Sequence, residues 1–286
     1  MGKKAIFVVS EKGGVGKSTV AKALLDHLRR IPAAGNDEPS HVLAFDLQPK
    51  VNQLGNAYGL KIADANGKET YSSSLNKMNP FMGVISASLE DDNGREIVGD
   101  SLESKADFLL FDLPGGKTDN LKEVFGKLST LITQIKVAGY DIVVVMVLSF
   151  LKASAVEVGE AVAVWGEDAR YVAVLNLGLA EREQFIFFDG ERADQVGYPA
   201  KRLEEVGGVV IEMPKLQAST YAELDADEIS FSLAASSDGP YKRTKRVRVQ
   251  DWLEVMDSEI AKIGLEKYSV DSLKAFEAAQ QKKASK

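Results

Sequence analysis

The chain has 286 residues, a formal net charge of −7, 45% hydrophobic and 27% charged residues, two histidines and no cysteine. This is the composition of an ordinary globular chain with ample material for a core. It excludes a thiol nucleophile, a disulfide scaffold, a cysteine-held iron–sulfur cluster and a histidine-rich metal site. An acidic chain meets nucleic acid only through a local basic patch.

The first predicted element is a strand over residues 5–10, entered directly from Met1-Gly2-Lys3-Lys4. No secretory leader is expected from that start, and Ile6 stands where a myristoylation signal needs Ser or Thr. No run approaches the roughly 18 apolar residues of a membrane span. A cytoplasmic location is expected, with nucleoid association as an option.

Glu11-Lys12-Gly13-Gly14-Val15-Gly16-Lys17-Ser18-Thr19 comes next, followed by Val20, Ala21, Leu24, Leu25 and Leu28 at helical spacing. The glycines therefore fall where a strand turns sharply into a helix. Glycine lets backbone N–H groups close around phosphate oxygens without a Cβ in the way, and the helix start adds free N–H groups and partial positive charge. In such a loop Lys17 reaches the β- and γ-phosphates and the Ser18 hydroxyl ligates Mg²⁺. The strict pattern G-x-x-x-x-G-K-[ST] asks for glycine at 11, where this chain has glutamate followed by Lys12. A glycine-rich loop with an incidental lysine is the plainer reading; strand, loop and helix in the required order weigh against it.

Residues 33–40 read as a surface loop and 41–46 as a second strand. It ends Phe45-Asp46-Leu47-Gln48-Pro49-Lys50-Val51-Asn52. Residues 57–104 are polar, with an acidic cluster at Glu90, Asp91 and Asp92, and read as a helix-and-loop insertion. A third strand, 106–112, ends Phe111-Asp112-Leu113-Pro114-Gly115-Gly116. Asp46 and Asp112 each stand where a buried strand emerges, which is where carboxylates organise Mg²⁺ around a phosphate loop. A turn-capping Asp is the plainer reading of either alone.

A helix is predicted over 120–137, a strand over 141–148, a helix over 153–165, and strands over 171–175 and 208–212. Strands that are nearly continuously apolar suit a sheet buried on both faces, and their alternation with helices predicts a doubly wound, mostly parallel α/β sheet flanked by helices. No linker marks a split, so one domain is expected, with further helices from about 250. Lys242-Arg243-Thr244-Lys245-Arg246-Val247-Arg248 is the one dense basic run. The alternation Arg246-Val247-Arg248-Val249 suggests a strand edge, and the run reads either as a phosphate-contacting patch or as a guarded, solvated edge. Residues 271–283 read as a terminal helix with too small an apolar face for a stable membrane anchor.

Lys12-Gly13-Gly14-Val15-Gly16-Lys17-Ser18-Thr19 resembles the deviant Walker A motif of the ParA/MinD ATPases. The 46–52 and 112–116 stretches resemble that family's two switch segments, matching at Asp46, Leu47, Pro49 and Asn52 and at Asp112, Pro114 and Gly116. The resemblance implies an ATP-binding P-loop fold that closes into a homodimer with ATP and Mg²⁺. Lys12 would reach the partner's phosphates, Asp112 would support Mg²⁺ through water, and Asp46 would organise the switch. The family's water-activating aspartate is Gln48 here, and a glutamine can orient water but cannot accept its proton, so slow hydrolysis is expected. Asn176 and Pro214 match the family's adenine-holding positions. A P-loop protein without a dimer role for Lys12 stays open.

The resemblance further implies a timer that positions cargo, such as plasmid or chromosomal DNA in partition or conjugative transfer, with an activating partner protein and non-specific DNA as the bound surface. Lys242, Arg243, Lys245, Arg246 and Arg248 are the candidates for DNA. The alternatives are an ATP-dependent metabolic enzyme of the dethiobiotin or cobyrinate synthetase kind, with a pocket in 57–104, and a MinD-like membrane-associated ATPase.

Overall fold

In the computed structural model, residues 2–10, 12–32, 39–115, 128–166 and 169–265 are described. Nine strands are present among them: β1 (Lys3–Val9), β2 (Val42–Asp46), β3 (Lys61–Ala63), β4 (Glu69–Tyr71), β5 (Ile85–Ser86), β6 (Phe108–Asp112), β7 (Tyr140–Leu148), β8 (Ala169–Asn176) and β9 (Val209–Met213). Seven form one sheet in the order β5-β2-β6-β1-β7-β8-β9, and every pairing in it is parallel. The helices are α1 (Lys17–Leu28), α2 (Gln53–Tyr58), α3 (Ser73–Met78), α4 (Asp92–Ser101), α5 (Leu128–Val137), α6 (Lys152–Trp165), α7 (Ile186–Asp189), α8 (Pro199–Glu205), α9 (Ala218–Ala226), α10 (Phe231–Ala235) and α11 (Arg243–Ala261). None of these helices is long and apolar enough to cross a membrane.

Strand residues alternate between two cores because successive side chains point to opposite faces. Ile6 and Val8 of β1 join Val143, Val145 and Val147 of β7 against α1 and α11, through Leu24, Leu25, Leu28, Met256 and Ile260. Ala5, Phe7 and Val9 join Val144 and Met146 against α5 and α6, through Ile135, Val158 and Trp165. This double burial is why the strands read as unbroken apolar runs. On the second face Phe45, Phe111 and Phe7 stack across β2, β6 and β1 with ring centroids 5.0 and 4.7 Å apart.

The six expected strands are all present, with ends shifted by at most two residues. The 57–104 segment differs from the expected helix-and-loop insertion. It holds the antiparallel pair β3–β4, and its β5 extends the main sheet by pairing with β2. Asp91 of the acidic cluster caps α4, its side chain accepting from Gly94 N. The strand edge expected at 246–249 is also corrected: these residues lie within α11. The buried stripe Val249, Trp252, Leu253, Met256 and Ile260 carries helical period over three turns, which outweighs four residues of alternation. That helix begins at Arg243, earlier than the expected start near 250. Residues 33–38, 116–127 and the expected terminal helix at 271–283 lie outside the described residues.

Candidate functional site

Parallel strands place their carboxyl ends along one edge, where such folds hold ligands. Register fixes the details. Asp46 pairs with Asp112 across β2 and β6, and Asp112 pairs with Val8 of β1. Both predicted carboxylates therefore stand beside the loop that follows β1. On the other side Asn176 pairs with Met213 across β8 and β9, which brings the two predicted base-side positions, Asn176 and Pro214, to the same edge.

The glycine loop has the backbone its sequence requires. Gly14 and Gly16 take φ of +79° and +96°, a left-handed region that other residues enter at a cost. At Gly16 a Cβ would stand 2.5 Å from Asn176 Nδ2 and 2.9 Å from Met213 Cε. Asn176 is the buttress: its Nδ2 donates to the Val15 carbonyl at 2.7 Å and its Oδ1 accepts from Gly178 N at 2.8 Å. Gly115 packs against the loop from the end of β6, its Cβ position 3.4 Å from Gly13 N.

A cavity of about 530 Å³ opens over this loop, within the usual range of small-molecule sites. Its walls include Lys12, Gly13, Gly14, Gly16, Lys17, Ser18, Thr19, Gln48, Asn176 and Pro214. Lys17 and Asp112 form a buried ion pair, Nζ to Oδ1 at 2.5 Å, with 7% and 0% of their side chains exposed. Lys12 is exposed at the cavity wall. One lysine thus lies at the floor and one at the mouth.

Asp46 is wholly buried. Its Oδ1 accepts from Gln48 N at 2.9 Å, and its Oδ2 from Leu54 N at 2.8 Å and Gly55 N at 3.2 Å. It therefore ties the 48–55 segment and α2 to the end of β2. Burial, then the charge of Asp112, pushes its pKa up to about 6 against the pull of those three N–H groups. The Gln48 side chain donates to the Leu113 carbonyl at 3.3 Å, bridging the two segments that end β2 and β6.

The donor set suits Mg²⁺. Asp112 Oδ2 is buried without a hydrogen-bond partner, an orphan acceptor beside the loop. No cluster of three His, Asp or Glu forms a cage among the described residues, and Mg²⁺ bound with phosphates needs none, since phosphate oxygens and waters complete its shell.

Residues that the motifs did not reveal also line this cavity: Met213, Leu216, Tyr221 and Trp252. Tyr221 Oη and Thr19 Oγ1 share a hydrogen bond at 2.7 Å, and Trp252 Nε1 donates to the Pro214 carbonyl at 2.7 Å. In the sequence Trp252 belongs to an apolar helical stripe that reads as core, and Tyr221 stands in no motif.

The basic run starts α11. Lys242 is its N-cap; Lys242, Arg243 and Arg248 are exposed. Lys245 is engaged elsewhere, paired with Glu223 and lying 4.6 Å over the Tyr241 ring. On a helix, residues three and four apart are neighbours, so Arg243 and Arg246 share one side while Lys245 and Arg248 share another.

No family model matches the chain, and no curated protein matches it either. Among solved structures it is similar to a nucleotide-binding protein from Archaeoglobus fulgidus in complex with ADP. The two are 18% identical over 88% of this chain and 91% of that one, with a TM-score of 0.41. It is similar to a Borrelia burgdorferi protein bound to AMPPNP, 14% identical over 94% and 100% of the two chains, with a TM-score of 0.44. A plasmid partition protein from Borrelia burgdorferi is 16% identical over 72% and 97%, with a TM-score of 0.37. These scores are low, and the site is read from its own residues.

Proposed function

We propose that this chain binds ATP with Mg²⁺ and works as a slowly hydrolysing dimerisation switch that positions cargo, with DNA partition or transfer as the process served. The observation that carries this reading is the pair of lysines on one glycine cradle: Lys17 buried against Asp112, Lys12 exposed at the mouth. Lys17 exchanges its carboxylate partner for phosphate oxygens. Ser18 supplies the hydroxyl for Mg²⁺, and Asp112 faces that ion, which neutralises phosphate charge when bound. Asp46 holds the 48–55 segment in place, and Gln48 orients water without acting as a base. Asn176 and Pro214 sit at the base end. Lys12 is the group left to engage the phosphates of a second copy.

The DNA reading rests on the start of α11. Cations at a helix N-terminus oppose the helix dipole, while phosphate is favoured there. Lys242 caps that helix, and Arg243 and Arg246 stand in its first four residues, a placement that a phosphate ligand would relieve. A metabolic enzyme would need a substrate wall beside the phosphates, and no residue of 57–104 lines the cavity.

The deciding experiment is binding to random-sequence duplex DNA with ATP and with ADP, across a salt series. ATP-dependent binding that weakens steeply with salt is expected, with Arg243→Ala and Arg246→Ala reducing the salt slope. Absence of binding in both nucleotide states rejects the DNA reading.

A further inference from the structure

The segment after β9 carries no recognised motif, yet Leu216, Ala218, Tyr221 and Trp252 from it line the same cavity as the glycine loop. Two contacts clasp α9 to α1: Tyr221 to Thr19, hydroxyl to hydroxyl at 2.7 Å, and Lys22 to Asp225 at 3.4 Å. Thr19 directly follows Ser18 at the start of α1, and both line the cavity. A third contact fixes the loop between β9 and α9, where Trp252 Nε1 holds the Pro214 carbonyl while its ring packs against Phe231 at 4.7 Å. The region therefore meets the cavity through two side chains, the Tyr221 phenol and the Trp252 indole.

We propose that this C-terminal segment is a working wall of the nucleotide site: Tyr221 is a positioning residue that sets the Thr19 hydroxyl, and Trp252 bounds the same cavity, so that nucleotide binding and docking of α9 onto α1 stabilise one another. The inference rests on the nucleotide reading above. Coupling of this kind is reciprocal: what α9 adds to nucleotide affinity, nucleotide adds to the docking of α9. Tyr221→Phe removes one hydroxyl and leaves the ring. A net hydrogen bond of about 1 kcal/mol corresponds to roughly a fivefold change in affinity.

The test uses the full chain and calorimetric titration with ADP and with ATP plus Mg²⁺. Tyr221→Phe is expected to weaken both nucleotides about fivefold. Thr19→Ser, which keeps the hydroxyl, should lose less affinity than Thr19→Val, which removes it. The double variant Tyr221→Phe with Thr19→Val should be no weaker than Thr19→Val alone, because both changes break one interaction. In a Trp165→Phe background the emission of Trp252 should shift at saturating nucleotide. Wild-type affinity in Tyr221→Phe, even with a lowered melting temperature, makes Tyr221 a packing residue and overturns the proposal. Additive losses in the double variant, or an unmoved Trp252 emission, overturn it too. If the wild-type chain binds neither nucleotide, the reading of the site itself fails, an outcome separate from these.

Discussion

Asp112 has a fully buried carboxylate next to another at Asp46. Lys17 is the cation that pairs with Asp112, Nζ to Oδ1 at 2.5 Å, with both side chains buried. Its removal would strand a buried charge, which costs about 3–5 kcal/mol when one partner of a buried pair is lost. Lys17→Ala is therefore expected to lower the unfolding free energy of the ligand-free protein as well as to abolish nucleotide binding. Adding Asp112→Asn should restore part of the stability in urea unfolding while leaving binding absent. Recovery of binding in the double variant would show that Lys17 is only a counter-ion. Gln48 poses the complementary question. Gln48→Asp adds a group able to accept a proton, so phosphate release should rise; an unchanged rate would place Gln48 away from the water. These residues were legible because phosphate chemistry restricts which side chains can stand where. Tyr221 was not, since a single tyrosine hydroxyl meeting α1 across 202 positions leaves no local trace.

At the scale of elements, the strands were legible because burial on both faces writes a continuous apolar run, whereas β5, with two residues, is too short to write any pattern. Contacts between distant helices were equally hidden. Asp26 of α1 is buried, and its Oδ2 accepts from Tyr58 Oη of α2 at 2.5 Å and from Ser232 N of α10 at 3.2 Å. Tyr58 Oη in turn accepts from Phe231 N at 3.0 Å. One carboxyl group thus ties three helices on the face that carries α11. Burial raises the Asp26 pKa above its ordinary value, against hydrogen bonds from Ser232 and Tyr58 and the charge of Arg30. The folded state then holds a proton that the unfolded chain has released, so this group favours folding in acid and loses that contribution as pH rises through its folded pKa. Asp26→Asn cannot titrate. The stability of wild type minus that of Asp26→Asn should therefore fall as pH rises from about 4 and level off above the folded pKa. Urea midpoints across that pH range check it; a difference that grows with pH would mean that the carboxylate is stabilised as the anion.

The whole molecule carries a net charge of −7, so two copies repel, and two bound triphosphates would deepen that repulsion. A dimer closed over nucleotide needs positive charge placed at the seam. Lys17 is buried within its own loop, and the basic start of α11 has lost Lys245 to Glu223. Lys12 is the exposed lysine at the cavity wall, and a charge that becomes enclosed between two copies escapes most of the screening that weakens surface pairs. Lys12→Ala should therefore leave ATP affinity of the monomer within about fivefold, since an exposed charge contributes less than ~1 kcal/mol to its own site, yet remove ATP-dependent dimerisation. Sedimentation velocity separates the two effects. Wild type is expected to sediment as a dimer with ATP and Mg²⁺ and as a monomer with ADP, while Lys12→Ala stays monomeric in both. Restoring charge with Lys12→Arg should recover some of the dimer, although a planar guanidinium does not replace an ammonium in a tight phosphate contact. A Lys12→Ala chain that still dimerises with ATP would place the seam elsewhere on the molecule, and Lys12 would then be a solvated flank of the loop.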